Sequence, residues 1–317
     1  MLSPLTIIVN CVRKQNTTDN NKQEIDNMNF FQKLFGSKEE TTEEKRKEDV
    51  ARNFEVLKYD GVRALKSGET AYAIKCFQHA LEIKDDLEIH DYLSQAFVRT
   101  NELLQAFDEL QKLAEAQPDN QQIFIRMANV AFMMEDYSAM SGACEKALLL
   151  DKDNPVVSFL YAEASRGQGD DVNAVAMATK AIALDPNYGE AYLLRSEILL
   201  SMGDLAGANE DAEWLIEHTD GQEEVLLLKA RIERKRPDLP AAIDYYTNVL
   251  EANPFNLEAY KERGAVRLEQ GDKEGAAKDM EKVLELSPKE TADITGEYSA
   301  EGIEEKTRRA YHNNPLG

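Results

Sequence analysis

Apolar and small residues recur along most of the chain at a fixed interval of 34 positions. Within each interval they occupy positions 4, 7, 8 and 11 of a first half and positions 20, 24, 27 and 28 of a second half. This spacing is typical of one face of a helix, so the pattern predicts two amphipathic helices per interval, packed as a hairpin. The interval is marked by Ala147-Leu148, Ala181-Ile182, Leu215-Ile216, Val249-Leu250 and Val283-Leu284.

Turn residues separate the helices. Gly169-Asp170, Gly203-Asp204 and Gly271-Asp272 stand between the two halves of their intervals. Glycine favours the left-handed conformation that ends one helix, and aspartate caps the next. Proline near the end of an interval, as at Pro186 and Pro254, blocks further helix. With one residue of slack, seven units follow: 54–86, 87–120, 121–154, 155–188, 189–222, 223–256 and 257–290.

The repeat resembles the tetratricopeptide repeat (TPR) family in its period, in alanine at position 20, in an aromatic or small residue at position 24 and in proline at position 32. Met140, Lys152 and Asp220 depart from this pattern without threatening the fold. The resemblance covers residues 54–290, about three quarters of the chain. It implies an all-α fold, a right-handed superhelical α-solenoid of about seven stacked antiparallel helix pairs.

Residues 1–53 lack the repeat and are expected to form an N-terminal extension, partly disordered or helical. The dense charged run from Glu39 to Arg52 is either a solvated helix leading into the first unit or a linker. Met28 resembles a natural initiator, so residues 1–27 are either untranslated or a disordered leader, which an intact mass would decide.

The two terminal segments each lead to a separate hypothesis. The aromatic cluster Phe30-Phe31-Leu34-Phe35 either caps the first unit, fills a groove of this or another copy, or touches a membrane surface. Residues 291–317 are expected to form a C-terminal capping helix and a frayed tail, because an open solenoid end needs a polar cover.

Charge and composition argue against several classes of function. Acidic residues outnumber basic ones 59 to 37, and the net charge of −22 disfavours nucleic-acid binding. No run of about 18 to 20 apolar residues is present, so stable membrane insertion is not expected. Three scattered cysteines and no secretory signal indicate a reducing compartment, the cytoplasm.

Motifs for catalysis are missing from the sequence. The four histidines share no metal-binding spacing, the glycines fall one per turn rather than in a phosphate loop, and no nucleophile has partners at a motif spacing. Cys144 is expected to be a small buried apolar residue. We therefore predict no enzyme activity, no cofactor and no metal site.

A second stripe of the first helix, at positions 2, 5, 9, 12 and 13, faces away from the hairpin interior. By the family resemblance, this stripe lines a concave groove that holds peptides. Two interpretations remain open: its apolar members pack against neighbouring helices, or they receive a partner whose acidic groups meet Arg231 and Arg234. The candidate residues are Ile125, Asn129, Phe132, Phe159, Glu163, Arg166, Leu193, Glu197, Leu200, Leu227, Arg231 and Arg234.

These patterns predict a non-catalytic scaffold or adaptor that binds a peptide or an amphipathic helix of an unidentified protein partner. The alternative is a homo-oligomerising assembly module that uses the same apolar surface. An RNA-associated or enzymatic repeat protein is the outside alternative, opposed by the charge of the repeats and by the absent motifs. The sequence does not identify the partner, the pathway or the oligomeric state.

Overall fold

A computed structural model describes residues 42–219 and 222–287, and this part of the chain holds fourteen α-helices and no strand. The predicted all-α repeat fold is confirmed. From residue 87 onward each first helix packs against the second helix that follows it, and each second helix packs against the next first helix. The helices are α1 (Thr42–Ser67), α2 (Thr70–Ile83), α3 (Leu87–Arg99), α4 (Leu103–Ala116), α5 (Gln121–Met133), α6 (Tyr137–Leu150), α7 (Pro155–Gly167), α8 (Asp171–Leu184), α9 (Gly189–Met202), α10 (Leu205–His218), α11 (Glu223–Lys235), α12 (Leu239–Ala252), α13 (Leu257–Gln270) and α14 (Lys273–Leu286).

The chain divides into two units, residues 1–57 and residues 58–317. Within the first unit the structure describes part of α1, where the charged run from residue 42 onward is helical, one of the two alternatives expected. The aromatic cluster at residues 30–35 and the capping helix at residues 291–317 lie outside the described residues.

The turn inside each hairpin places its fifteenth unit position in the left-handed region. Glycine occupies this position in four hairpins, with φ between 78° and 92° at Gly68, Gly169, Gly203 and Gly271. Asn101 and Glu135 adopt the same conformation, with φ of 60° and 57°, without glycine's freedom. The turn is therefore imposed by the helix packing on either side as well as by its own residue.

Aspartates after these turns cap the second helices as predicted. The side chains of Asp170, Asp204 and Asp272 accept hydrogen bonds from backbone N–H groups at the starts of α8, α10 and α14. Each cap satisfies a donor that the helix leaves without a partner.

The core follows the predicted positions. In the third hairpin, Phe124, Met127, Ala128 and Ala131 are all buried. The alanines at position 20 are fully buried in five hairpins, which allows the paired helices to approach closely. They are Ala73, Ala106, Ala174, Ala208 and Ala242. Cys144 is buried as predicted, and burial raises the pKa of its thiol to about 12, so it stays protonated and unreactive at neutral pH.

The fifth and seventh hairpins each contain a buried arginine–aspartate pair that the repeat pattern did not reveal. In the fifth hairpin, Arg195 Nε donates to Asp211 Oδ2 at 2.8 Å and Nη2 donates to Oδ1 at 2.6 Å. In the seventh, Arg263 makes the same two-pronged contact with Asp279, at 3.1 and 2.7 Å. Both aspartate side chains are nearly inaccessible, at 3% and 2% exposure. Asp211 depends on Arg195 for charge compensation, whereas Asp279 is also paired with Arg267, at 2.9 Å.

Candidate functional site

The first helices form one face of the solenoid, and this first-helix face contains two separate cavities. The cavity between α3 and α5, of about 330 Å³, has the candidate residue Asn129 in its wall. Phe132 and Met133, at the end of α5, are 44% and 48% exposed. The residues lining this α3–α5 cavity are Ser94, Gln95, Val98, Arg99, Leu110, Arg126, Asn129, Val130 and Met133.

Polar side chains in the α3–α5 cavity are held by hydrogen bonds. Arg126 contacts Asp91 and the Ser94 hydroxyl, both on α3. Arg99 donates to the backbone carbonyl of Leu65 at 3.0 Å. The cavity therefore combines apolar wall residues with charged groups that have little freedom to move.

The second cavity, of about 540 Å³, lies beside α11 and includes the candidates Leu200, Arg231 and Arg234. The structure pairs both arginines with glutamates of α13. Arg231 contacts Glu258 at 2.5 Å and Glu262 at 3.0 Å, and Arg234 contacts Glu269. An acidic group of a partner would therefore compete with these glutamates. The remaining lining residues are Lys235, Tyr246, Glu262 and Glu269.

Tyr246 forms part of the wall of this α11 cavity. It is fully buried, and its hydroxyl donates to Glu262 at 2.8 Å. Burial and this hydrogen bond raise the pKa of Tyr246 above its ordinary range. Lys235 is exposed and forms no ion pair with any described residue, so it is the cation of this cluster that is open to a new partner.

The apolar candidate residues of the stripe between the two cavities pack against neighbouring side chains. Phe159 is half-buried and its ring centroid lies 5.1 Å from that of Tyr188. Leu193 and Leu200 pack against the core formed by Ala208, Ala212, Leu228 and Ile232. The packing interpretation therefore accounts for these apolar positions, and the open surface is narrower than the sequence pattern suggested.

Leu227 was wrongly placed in the groove. It is 6% exposed and belongs to a core cluster with Ala230, Ala242 and Tyr246. The error arises because α11 buries residues on most of its circumference, including Lys229 and Glu233. Helical periodicity assigns a residue to a face, but the neighbouring helices decide whether that face is covered.

The remaining candidate residues differ in their surroundings. Arg166 and Glu197 form an ion pair at 2.6 Å between α7 and α9. Ile125 is half-buried and Asn129 is exposed. The structure thus brings the candidates into two cavities and one packed stretch rather than into one continuous apolar groove.

Glu163 is a carboxyl group of this face whose pKa is raised strongly. Burial, reinforced by the nearby charge of Glu190 and opposed by Arg166, raises the pKa of Glu163 from 4.5 to about 7. Between these values the folded chain holds a proton that the unfolded chain releases. The free energy of unfolding contributed by Glu163 therefore falls as the pH rises from about 4.5 to about 7.

Glu163→Gln should stabilise the protein at pH 8 and have little effect at pH 5, because glutamine mimics the protonated carboxyl. We expect a gain of about 1–2 kcal/mol at pH 8, after allowance for the partial exposure of the side chain. Urea denaturation at both pH values measures the difference. Glu217→Gln, at an exposed position of α10, is the control, and an equal gain for both variants would contradict the assignment.

Neither a metal site nor a membrane span is found in the part of the chain that the structure describes. Its His, Cys, Asp and Glu side chains form no group of three or more that could hold a metal ion. None of its helices combines the length and the apolar content needed to cross a bilayer.

A third cavity, which the sequence did not predict, lies on the opposite, second-helix face. This α4–α6 cleft has a volume of about 610 Å³ and is lined by apolar residues that include Phe107, Ala114 and Leu150. The sequence did contain a signal for this cleft. Gly142 and Ala143 follow Ala139 by three and four positions on α6, so three small residues share one face of the helix, and Leu149 follows them. Leu149 is 86% exposed.

Comparison with known proteins agrees with this architecture. The sequence profile of the tetratricopeptide repeat family matches residues 227–291. No curated protein sequence matches the chain.

Solved structures share the fold at low sequence identity. A tetratricopeptide repeat protein from Parabacteroides merdae ATCC 43184 is 14% identical, with a TM-score of 0.62 over 81% of this chain and 98% of its own. PilW, a widely conserved type IV pilus biogenesis factor, is 16% identical, with a TM-score of 0.58 over 69% of this chain and 98% of its own. PilF of Pseudomonas aeruginosa is 19% identical, with a TM-score of 0.53 over 68% and 99%. At these identities the similarity establishes the fold alone.

Proposed function

We propose that this chain, whose residues 227–291 match the tetratricopeptide repeat family and whose fold is shared with a solved repeat protein, is a non-catalytic scaffold. In this proposal it binds a peptide or an amphipathic helix of a partner protein on its first-helix face. Binding of protein or peptide partners is typical of the family. The apolar anchors of the partner would enter at the α3–α5 cavity, and its acidic groups would meet the cations beside α11.

The observation that carries the proposal is the exposure of Phe132 and Met133 beside the α3–α5 cavity. Both side chains are close to half exposed, at 44% and 48%, although most apolar neighbours on this face are packed. Large apolar side chains next to an apolar cavity favour association, since burying them removes their surface from water. The cavity's fixed arginines supply the polar rim that a specific interface needs.

The cations beside α11 support a preference for acidic groups in the partner. Residues 54–290 carry 25 basic and 45 acidic residues, so the three cations Arg231, Arg234 and Lys235 within five residues of α11 stand out in this part of the chain. Because Lys235 forms no ion pair with a described residue, it can donate hydrogen bonds to a carboxylate of the partner without breaking an existing ion pair. We therefore expect an acidic group of the partner to meet Lys235 first and Arg234 only by displacing Glu269.

The double variant Phe132→Ser/Met133→Ser should lose partner binding while remaining folded. Removing two exposed anchors should weaken a partner by at least tenfold, which corresponds to about 1.4 kcal/mol. The measurement is quantitative affinity capture from cell extract with the full chain as bait, followed by titration of the captured protein against each variant. Light scattering of the bait alone tests the alternative, in which the same surface pairs copies of this chain.

The matched control is Phe255→Ser, which removes a 76% exposed aromatic side chain from the turn after α12, away from either cavity. It should leave the captured partner unchanged. A partner that binds all three proteins equally would show that the first-helix face is not its site. A wild-type dimer that the double variant converts to a monomer would replace the scaffold proposal with self-assembly.

A further inference from the structure

The α4–α6 cleft on the second-helix face is open where α6 carries the small residues Ala139, Gly142 and Ala143. An ideal Cβ atom placed on Gly142 would meet no other heavy atom within 4 Å, and Ala143 beside it is also small. Phe107 and Ala114 of α4 form the opposite wall, and Leu150 of α6 closes one end. A cleft of about 610 Å³ with apolar walls is suited to large apolar side chains from outside.

Two carboxylates without an ion-pair partner among the described residues, Asp108 and Glu115, lie at one side of this cleft. A neighbouring cavity of about 450 Å³ on the other side of α4 shares Gln111 and Glu115 with the cleft and also contains Asp108. Its Lys112 pairs with Glu109, and Lys146 lies in the cleft itself. A complementary ligand therefore combines aromatic or leucine side chains with a cation placed at the Asp108 and Glu115 side.

One segment of this chain has that composition. Residues 28–38 contain three phenylalanines, one leucine and two lysines, and no acidic residue, although the whole chain carries a net charge of −22. Lys33 stands between the apolar pairs Phe30-Phe31 and Leu34-Phe35. The segment lies within the 41 residues that precede the described part of the chain.

We infer that residues 28–38 of one copy bind the α4–α6 cleft of a second copy. Phenylalanine side chains enter the apolar cleft, and Lys33 faces Asp108 and Glu115. A second copy is favoured by the start of α1, where residues 42–53 form a continuous stretch of helix of about 18 Å before Phe54, at 1.5 Å per residue. The segment comes just before this stiff stretch in the sequence, and a segment that precedes a stiff helix is available to another molecule.

The contact joins two different surfaces, so it is heterologous. Such contacts produce head-to-tail assemblies unless two copies exchange segments reciprocally. The inference concerns the second-helix face and does not rest on the proposed partner site of the first-helix face. A negative result for the α4–α6 cleft would not contradict the proposed partner site, and a negative result for the partner site would not contradict the cleft.

The test is sedimentation velocity of the full chain over a hundredfold range of concentration. Gly142→Trp fills the cleft, and Phe31→Glu/Phe35→Glu removes the anchors. Each should raise the concentration for half-maximal association at least tenfold. Because Gly142 has open space around it, the tryptophan should not disturb the hairpin. The anchor variant changes no residue of the hairpins, so the test does not depend on the folding of the cleft variant.

The matched control is Ala176→Trp, at the equivalent position of α8, where the side chain is exposed. It should associate like the wild type. An equimolar mixture of the cleft variant and the anchor variant should form a complex that stops at a heterodimer, because only one intact pair of surfaces remains. The inference is overturned if the wild type is monomeric throughout, if both variants associate normally, or if the Ala176→Trp control is impaired as strongly as Gly142→Trp.

Discussion

Arg195→Leu should lower the free energy of unfolding by about 3–5 kcal/mol, because it leaves the buried carboxylate of Asp211 without its partner. The Asp211 side chain is 3% exposed, and both of its oxygens accept hydrogen bonds from this arginine. Burial raises the pKa of Asp211, and Arg195 opposes this rise. The loss should therefore shrink at acidic pH, where the unpaired carboxyl takes up a proton.

Urea denaturation followed by circular dichroism measures this loss at pH 8 and pH 5. Hydrogen exchange should place the weakened region at α9 and α10 and the hairpins that follow, since each hairpin of a solenoid contacts only its neighbours. Arg195→Leu/Asp211→Leu should recover most of the stability, because a buried pair replaced by apolar side chains costs little. Arg166→Leu, which breaks the more exposed pair with Glu197, should cost below about 1 kcal/mol. An equal cost for both arginines would contradict the role assigned to burial.

Gly61→Val should lower the free energy of unfolding by about 1–3 kcal/mol through overpacking. Gly61 lies in α1, and a Cβ atom at this position would come within 2.5 Å of the Phe77 ring. Phe77 is fully buried and stacks on Tyr92 of α3, with ring centroids 5.4 Å apart. The ring therefore cannot move away without loosening the first hairpin from the second.

The matched control for this variant is Gly142→Ala in α6. No heavy atom lies within 4 Å of a Cβ at Gly142, so the added methyl should stabilise the helix by about 0.5–1 kcal/mol. Thermal denaturation of both variants should show opposite shifts of the midpoint. If Gly61→Val left the midpoint unchanged, the contact with Phe77 would have to relax more readily than a buried ring allows.

Much of the candidate site could not be predicted, although the helices around it could. Positions 2, 5, 9, 12 and 13 of the first helices were predicted to face away from the hairpin interior, yet Leu227 is buried with Ala242 and Tyr246, whereas Phe132 is exposed. Both are apolar residues of the same stripe. They differ in what the neighbouring hairpins place over them, and a repeat pattern that treats every hairpin alike does not contain this information.

The cations of α11 give a second example. Charge arithmetic identified Arg231 and Arg234 as unusual in an acidic array, and the structure places both beside one cavity. It also supplies Glu258, Glu262 and Glu269 from α13 as their partners. These contacts join residues 27 to 35 positions apart, so they depend on how one hairpin stacks on the next.

The repeat, the helical hairpin and the turns and caps between helices could be predicted from the sequence alone. These features depend on interactions within a few residues, such as the left-handed glycine at Gly169 and the cap of Asp170, and each has a local signature. Only the tertiary structure decided which apolar residues remain exposed, which charges are paired and where cavities open. Those properties depend on the distance and side-chain size between helices of different hairpins, as at Gly142, and local periodicity does not encode them.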